Sequence, residues 1–482
     1  MTAHGASVFK TRSCRKIYHR NAGCKTSSAK LACRDTSGDK SYSDSDQWFF
    51  STMQTTAKTQ TAICLFAATF FTVAPVKADD WSSYQHDPAH TGRSSAVIDP
   101  NALTLAWSAP AGYSTPLVVG NSVYATRNAG GSGGLTTVSS FSLSTGLTLW
   151  SFNGPSFVYP SQAAVGGGFV VFQGHNTLTS TNDLYVLDAT LGVLRYTVRL
   201  SQGYGSLMPT VVEDPVTGVV TAYVIEGYYL RAVTLGLASG TIQWTQIGSF
   251  GGDSIPTIVG NSVIIAGPGQ YYAFDKDTGA PNHFHQGDVS GGGGCTIAYD
   301  ATRSEFYVLE QYDTRTRALS AYQYVSNDDI RLLWQQVDNS FYDGSSVAIG
   351  ANGNVYWVAR SNIRELDPSN GQILRSVSGT FDTDSTPALS QGLLWAVGSG
   401  QVLAYDLNSF ELLGGFKGGG VDSRYPSPSV LVDGYLLIDQ PALNTSTKPS
   451  FDVYAQSQPM PTPTAPPIPP LYQPPLRRLP RP

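Results

Sequence analysis

Cysteine is scarce, and placed where it does little covalent work. Of the 482 residues five are Cys, at positions 14, 24, 33, 64 and 295, and no two are adjacent. No Cys-x-x-Cys-His run is present either, so neither a vicinal disulfide nor a covalently attached haem is encoded. Long apolar runs are also missing. The best one, Ala62–Val73, is too short for a comfortable membrane span. Between Trp81 and Ala455 no segment has the 3.6-residue periodicity of an amphipathic helix. Basic charge is thin as well. Of 30 Lys and Arg and 35 Asp and Glu in the whole chain, 11 and 4 precede residue 79, which leaves 19 and 31 and a net charge of −12. No basic stripe is left to pair with phosphates, which argues against nucleic acid as a partner.

The two ends differ from the middle. Residues 1–52 are basic and Ser-rich, with no strand alternation, and read as a non-native or disordered leader. Residues 53–78 have the pattern of a secretory signal peptide. Lys58 follows the new Met53, an apolar core comes next, and Val76-Lys77-Ala78 is a small-residue cleavage site. Cleavage near Ala78 leaves a secreted or periplasmic protein with no membrane anchor. Its single remaining cysteine, Cys295, allows no internal disulfide. Residues 458–482 carry a proline at almost every second or third position, as expected of an extended, disordered tail, with a spacer or docking peptide as the alternative.

Residues 79–457 repeat one pattern about eight times. Ser114-Thr115-Pro116-Leu117-Val118-Val119-Gly120-Asn121-Ser122-Val123-Tyr124 and Ser254-Ile255-Pro256-Thr257-Ile258-Val259-Gly260-Asn261-Ser262-Val263-Ile264 each read as strand, Gly-Asn turn, strand. First-strand starts fall near Pro116, Gln162, Pro209, Pro256, Thr296, Ser346, Pro387 and Pro428, about 40 to 50 residues apart, the length of a four-stranded propeller blade. A second ruler accompanies the first: an Asp or Ser, a Gly four residues on, and a large side chain four further. Ser142-Gly146-Trp150, Asp188-Gly192-Tyr196, Asp275-Gly279-His283 and Asp367-Gly371-Arg375 obey it. Gly240-Trp244 keeps the second half, and Asp406 keeps the first with Phe410 in the Gly place. Only the fifth repeat, Cys295 to Trp334, lacks both the Pro and the Asp–Gly pair. The predicted fold is all-β, an eight-bladed β-propeller of four-stranded antiparallel blades. Its last blade is completed by Leu103-Thr104-Leu105-Ala106-Trp107, which closes the ring and removes free sheet edges.

This ruler resembles the repeat of the pyrroloquinoline-quinone-like, or quinoprotein alcohol dehydrogenase-like, β-propellers. The opening Trp81-Ser82-Ser83-Tyr84-Gln85-His86-Asp87-Pro88-Ala89-His90-Thr91-Gly92-Arg93 is similar to the segment before the first blade in exported members. The resemblance implies two branches. One is a dehydrogenase of alcohols or hydroxylated polymers, with pyrroloquinoline quinone and Ca²⁺ over the propeller centre. The other is an exported, non-catalytic branch that binds or scaffolds proteins, and the missing Cys-Cys pair fits this second branch better. A polysaccharide-binding or lyase propeller is a third expectation. In the binding reading the partner is a protein or an extracellular polymer and the chain is a monomer.

Site residues follow from aligning the blades. Three residues before the first-strand starts stand Tyr113, Tyr159, Asp253, Asp343, Asp384 and Tyr425, with Ser206 and Gly292 in the other two blades. The inner strand enters at the channel mouth, so Tyr425, Tyr113 and Tyr159 form an aromatic wall opposite an acidic wall of Asp253, Asp343 and Asp384. In a dehydrogenase one of those Asp residues is the candidate base. His283-x-His285 with Asp288 is too sparse a set for a metal, and no metal site is expected. His86 and His90 are expected to pin the entry segment rather than to exchange protons in a reaction.

Overall fold

The computed structural model describes residues 80–456, apart from 111–112, 115, 128–134, 157, 202–206, 249, 251–254, 268–269, 287–295, 312–316, 327–328, 339–345, 360, 382–384, 418–428 and 440–450. The expected leader, signal peptide and Pro-rich tail lie outside the described residues. The chain divides into two units, Met1–Phe70 and Phe71–Pro482, and every described residue belongs to the second.

The described residues form eight antiparallel sheets in sequence order. Blade 1 is Leu117–Val119, Ser122–Arg127, Leu135–Ser142 and Thr148–Ser156. Blades 2 to 7 begin their inner strands at Ala164, Thr210, Thr257, Ala298, Ala348 and Ala388, one or two residues after the starts read from the repeat. Blade 8 takes Val430–Val432, Tyr435–Asp439 and Phe451–Gln456 from the end of the chain. Its outer strand, Leu103–Ser108, comes from the beginning, with Leu103 paired to Gln456 and Ser108 to Asp452. Blade 2 departs from the four-stranded plan. Both Val158–Pro160 and Ala164–Gly166 pair with Phe169–Asn176, because the Ser161 hydroxyl accepts the Gln173 N–H and bridges the break between them.

The second ruler is the docking device between blades. In the Asp-x-x-x-Gly turns the Gly has positive φ, +67° at Gly192 and +71° at Gly371, which favours Gly. The Asp carboxylate at the head of the turn accepts the next free N–H groups, as Asp188 does from Thr190 and Leu191. The bare Gly leaves room for the large side chain of the preceding blade. Trp107 lies over Gly146, Trp150 over Gly192, Trp244 over Gly279 and Trp334 over Gly371. Each indole N–H donates to a carbonyl of the same turn: Leu143, Ala189, Lys276 and Pro368. Burying each ring is worth about 2–3 kcal/mol.

Blades that break the ruler dock differently. Tyr196 donates to the Gly236 carbonyl. Arg375 replaces Trp exactly where Phe410, at φ +60°, replaces Gly. Its guanidinium lies 4.4 Å from the Phe410 ring centre and donates to the carbonyls of Leu407 and Asn408. Blade 5 has no Asp–Gly turn, and there Tyr324 covers Gly260 of blade 4 and accepts the Asn261 N–H. Tyr454 of blade 8 donates to the Lys417 carbonyl of blade 7 and completes the circle.

Every described outer strand also carries a β-bulge near its start, at Ala106, Leu149, Arg195, Gln243, Asn282, Leu333, Leu374 and Leu413, and in blades 1, 2, 3, 5, 6 and 8 the docking side chain follows it directly. The bulge kinks the exposed edge, which discourages pairing with another sheet.

Candidate functional site at the central channel

In blades 3 to 7 a short polar residue, Thr210, Thr257, Thr296, Ser346 or Thr386, stands at the entry of the inner strand, and these groups join neighbouring strands. Thr210 donates to the Pro256 carbonyl (2.5 Å), Thr257 to the Ile297 carbonyl (3.2 Å), and Ser346 to the Thr296 carbonyl (3.0 Å). The Ser346 N–H reaches the Thr386 hydroxyl. The signal was present in the repeat as Thr beside the inner-strand Pro in blades 3, 4 and 7.

The entry segment is bonded across the inner strands. Residues 80–98 run past the inner strands at the end where first and second strands turn. The carbonyls of Trp81, Ser82, Pro88, Ala89, Thr91 and Gly92 accept the N–H groups of Val118, Val165, Ile258, Tyr299, Ile349 and Leu389. Val97 accepts from Gly434. Seven of the eight blades are thus tied to one strand of chain among the described residues. Side chains complete the plug. Asp80 accepts the Gly120 N–H (2.7 Å), Gln85 donates to the Val347 carbonyl (3.0 Å), Tyr84 meets Thr386 (3.3 Å), and Arg93 donates to the Gly350 carbonyl (2.7 Å). His90 is fully buried, with Nδ1 3.0 Å from the Thr257 hydroxyl and its ring edge-on to Tyr84. Burial pushes its pKa down to about 4, the nearby Asp87 charge offsetting only part of the desolvation. His86 packs edge-on against Trp81 and faces Asp87 at 3.3 Å. His90 therefore joins the segment to blade 4, while His86 packs within the segment.

The sequence singled out the other end of the channel. Tyr113 is half-buried there and turned into blade 1: its hydroxyl is 2.6 Å from Ser139, its ring edge-on to Phe141, and its backbone bridges to Arg127. Tyr159 lies in the short strand Val158–Pro160, paired through its backbone with His175. Asp253, Asp343, Asp384 and Tyr425 lie outside the described residues, as do Ser206, Gly292, Asp288 and Cys295. His283 and His285 are in the outer strand of blade 4, remote from the channel wall, with their backbones paired to Ala273 and Tyr271.

Do the described channel residues fit a quinone and Ca²⁺? Their donor set is hydroxyls already bonded to neighbouring carbonyls, and the carboxylates on the described inner strands are Glu213 and Asp300, at the strand ends. A hard divalent cation takes six to eight oxygens with carboxylates among them. Among the described residues no cluster of three or more acidic, His or Cys side chains could hold a metal ion, so the described wall does not supply that set, and no step is derived through it.

Residues 134–283, blades 1 to 4, match the sequence profile of the family described as outer membrane protein assembly factor BamB. No curated protein sequence matches the chain. Among solved structures, a quinohemoprotein alcohol dehydrogenase from Comamonas testosteroni aligns with TM-score 0.56 at 13% identity, covering 79% of this chain and 81% of that one. A europium-containing methanol dehydrogenase gives 0.53 at 13%, covering 79% and 98%. BamB from Moraxella catarrhalis gives 0.51 at 15%, covering 73% and 99%. At such identities these likenesses speak to the fold alone. By its fold the chain is an eight-bladed β-propeller, and residues 134–283, from the third strand of blade 1 to the outer strand of blade 4, are similar to the pyrroloquinoline-quinone-like repeat family.

Proposed function

We propose that this chain is an exported binding or scaffolding protein whose working surface is the channel-mouth face. The observation that carries this reading is the plug. Residues 80–98 spend their carbonyls and their buried polar side chains on seven blades, so one end of the channel is packed protein. The segments that precede the inner strands in sequence lie outside the described residues, and they are rich in Gly, Ser, Tyr and Asp: Gly251-Gly252-Asp253-Ser254, Ser340-Phe341-Tyr342-Asp343 and Ser423-Arg424-Tyr425-Pro426. Such loops offer aromatic faces and hydrogen-bonding groups on a rigid scaffold, which is how loops serve recognition. The profile match to an assembly factor supports the same class of role. Export rests on the signal pattern at residues 53–78.

Photo-crosslinking tests it. A crosslinker is placed at Tyr425 on the mouth or at Asn121 on the plug side, in the chain secreted by its own cells. The proposal expects intermolecular adducts from Tyr425 and none from Asn121. Adducts from Asn121 alone would refute it.

A further inference from the structure

The plug-side rim is chemically lopsided. The tips of the Asp-x-x-x-Gly turns are polar on blades 4, 6 and 7, with Lys276-Asp277-Thr278, Ser369-Asn370 and Asn408-Ser409, although the outer strands of blades 5 to 7 expose Leu332, Ile373, Leu374 and Leu412. On blades 1 to 3 the same places hold large apolar residues in water. Leu147 is 69% exposed, Leu191 59%, Leu237 75% and, in the first turn of blade 3, Val216 91%. Leu149, Val193, Leu194 and Val219 are exposed beside them. The interblade bonds make these neighbours. Trp150, adjoining Leu149, donates to Ala189 in the turn that carries Leu191, and Tyr196, two residues after Leu194, donates to Gly236 beside Leu237. On the other side Trp107 donates to Leu143, which joins the exposed Leu105 of blade 8 to the turn of Leu147. A continuous apolar strip of this kind on one side of a ring calls for an occupant.

The chain itself supplies one. The last described strand, Phe451–Gln456, ends on this same face. Gln456 pairs with Leu103 at the foot of blade 8, and its N–H donates to Gly434 in the first turn of that blade. Residues 457–482 therefore leave the fold beside blade 1, at the start of the strip. Their sequence has Ile468, Leu471, Tyr472, Leu476 and Leu479 set between prolines, and its only charges are Arg477, Arg478 and Arg481. Glu213 and Asp214 border the strip at blade 3. Pro-rich segments dock on apolar surfaces at low entropic cost because the extended helix is already formed, and at ~3.1 Å per residue this one has a reach on the order of 70 Å.

We propose that the C-terminal segment Ile468–Leu479 docks in cis on the apolar rim of blades 1 to 3, with its arginines toward Glu213 and Asp214. This is independent of the role of the channel mouth. The test uses the full chain with p-benzoylphenylalanine at Leu191, or at Asn408 on the polar rim as control. Expected are intramolecular crosslinks from position 191 into residues 457–482, none from 408, and loss of those crosslinks in the variant Ile468→Ser, Leu471→Ser, Tyr472→Ser, Leu476→Ser. The same variant without the crosslinker binds several-fold more apolar dye. Crosslinks from 191 to a second copy or to another protein, or no crosslink into the tail with dye binding unchanged, would overturn the proposal.

Discussion

Two residues show how much a single position carries. Gly192 has positive φ, and a Cβ there meets the Trp150 ring at 2.3 Å, whereas Gly168, at φ +80°, has open space around it. Gly192→Ala adds overpacking to backbone strain and is expected to cost about 3 kcal/mol, against about 1 kcal/mol for Gly168→Ala. Equal losses in urea denaturation would mean that the indole does not depend on the bare glycine. His90 is the second residue. Its pKa falls from 6.5 unfolded to about 4 folded, so the native state keeps it neutral while the unfolded chain takes up the proton first. Its contribution is complete above pH 6.5 and is lost as pH falls toward 4, up to about 3 kcal/mol. Comparing urea midpoints at pH 7 and 4.5, the wild-type loss should exceed that of His90→Gln; matching losses would show that the plug is not the acid-sensitive element.

At the scale of elements, the Arg375–Phe410 junction is a coupled exchange of the Trp–Gly pair. Arg375 also pairs with Glu365, which is nearly buried and is bonded to Asn354 and Tyr356 as well. Arg375→Trp alone crowds Phe410 and strips Glu365 of its cation; Phe410→Gly alone relieves the backbone but empties the contact. The double variant restores the ruler and should be less destabilised than the sum, by about 1 kcal/mol or more in a double-mutant cycle. Strict additivity would show that the two sites do not communicate. Such exchanges explain what was legible beforehand. Asp-x-x-x-Gly-x-x-x-Trp is local turn chemistry at fixed spacing, so the blades, their starts and the closing strand could be read from it. Tyr324 of blade 5 does its docking from the third strand of its own blade, outside that spacing, and so was not seen. The bulges fall on Ala, Leu, Arg, Gln and Asn alike, since they answer to sheet geometry and need no particular side chain.

For the whole molecule, closure is made twice. Leu103–Ser108 completes blade 8, and residues 80–98 tie six inner strands and the first turn of blade 8. The plug was legible only as an entry segment with two pinning histidines. Its bonds are made by backbone carbonyls, which leave no residue signature, and its path across the channel depends on all the blades at once. Of the six mouth residues, Tyr113 shows why an alignment of repeats does not give side-chain direction. It has the right place on the chain, yet Ser139 and Phe141 draw it into blade 1. The central proposal is that this propeller works by binding a partner at its mouth. The most direct measurement is a thermal melt of residues 79–482, alone and with saturating pyrroloquinoline quinone plus Ca²⁺. An unchanged melting temperature is the predicted result. A rise of several degrees that requires both additions would mean the native state binds the cofactor, and would contradict the account.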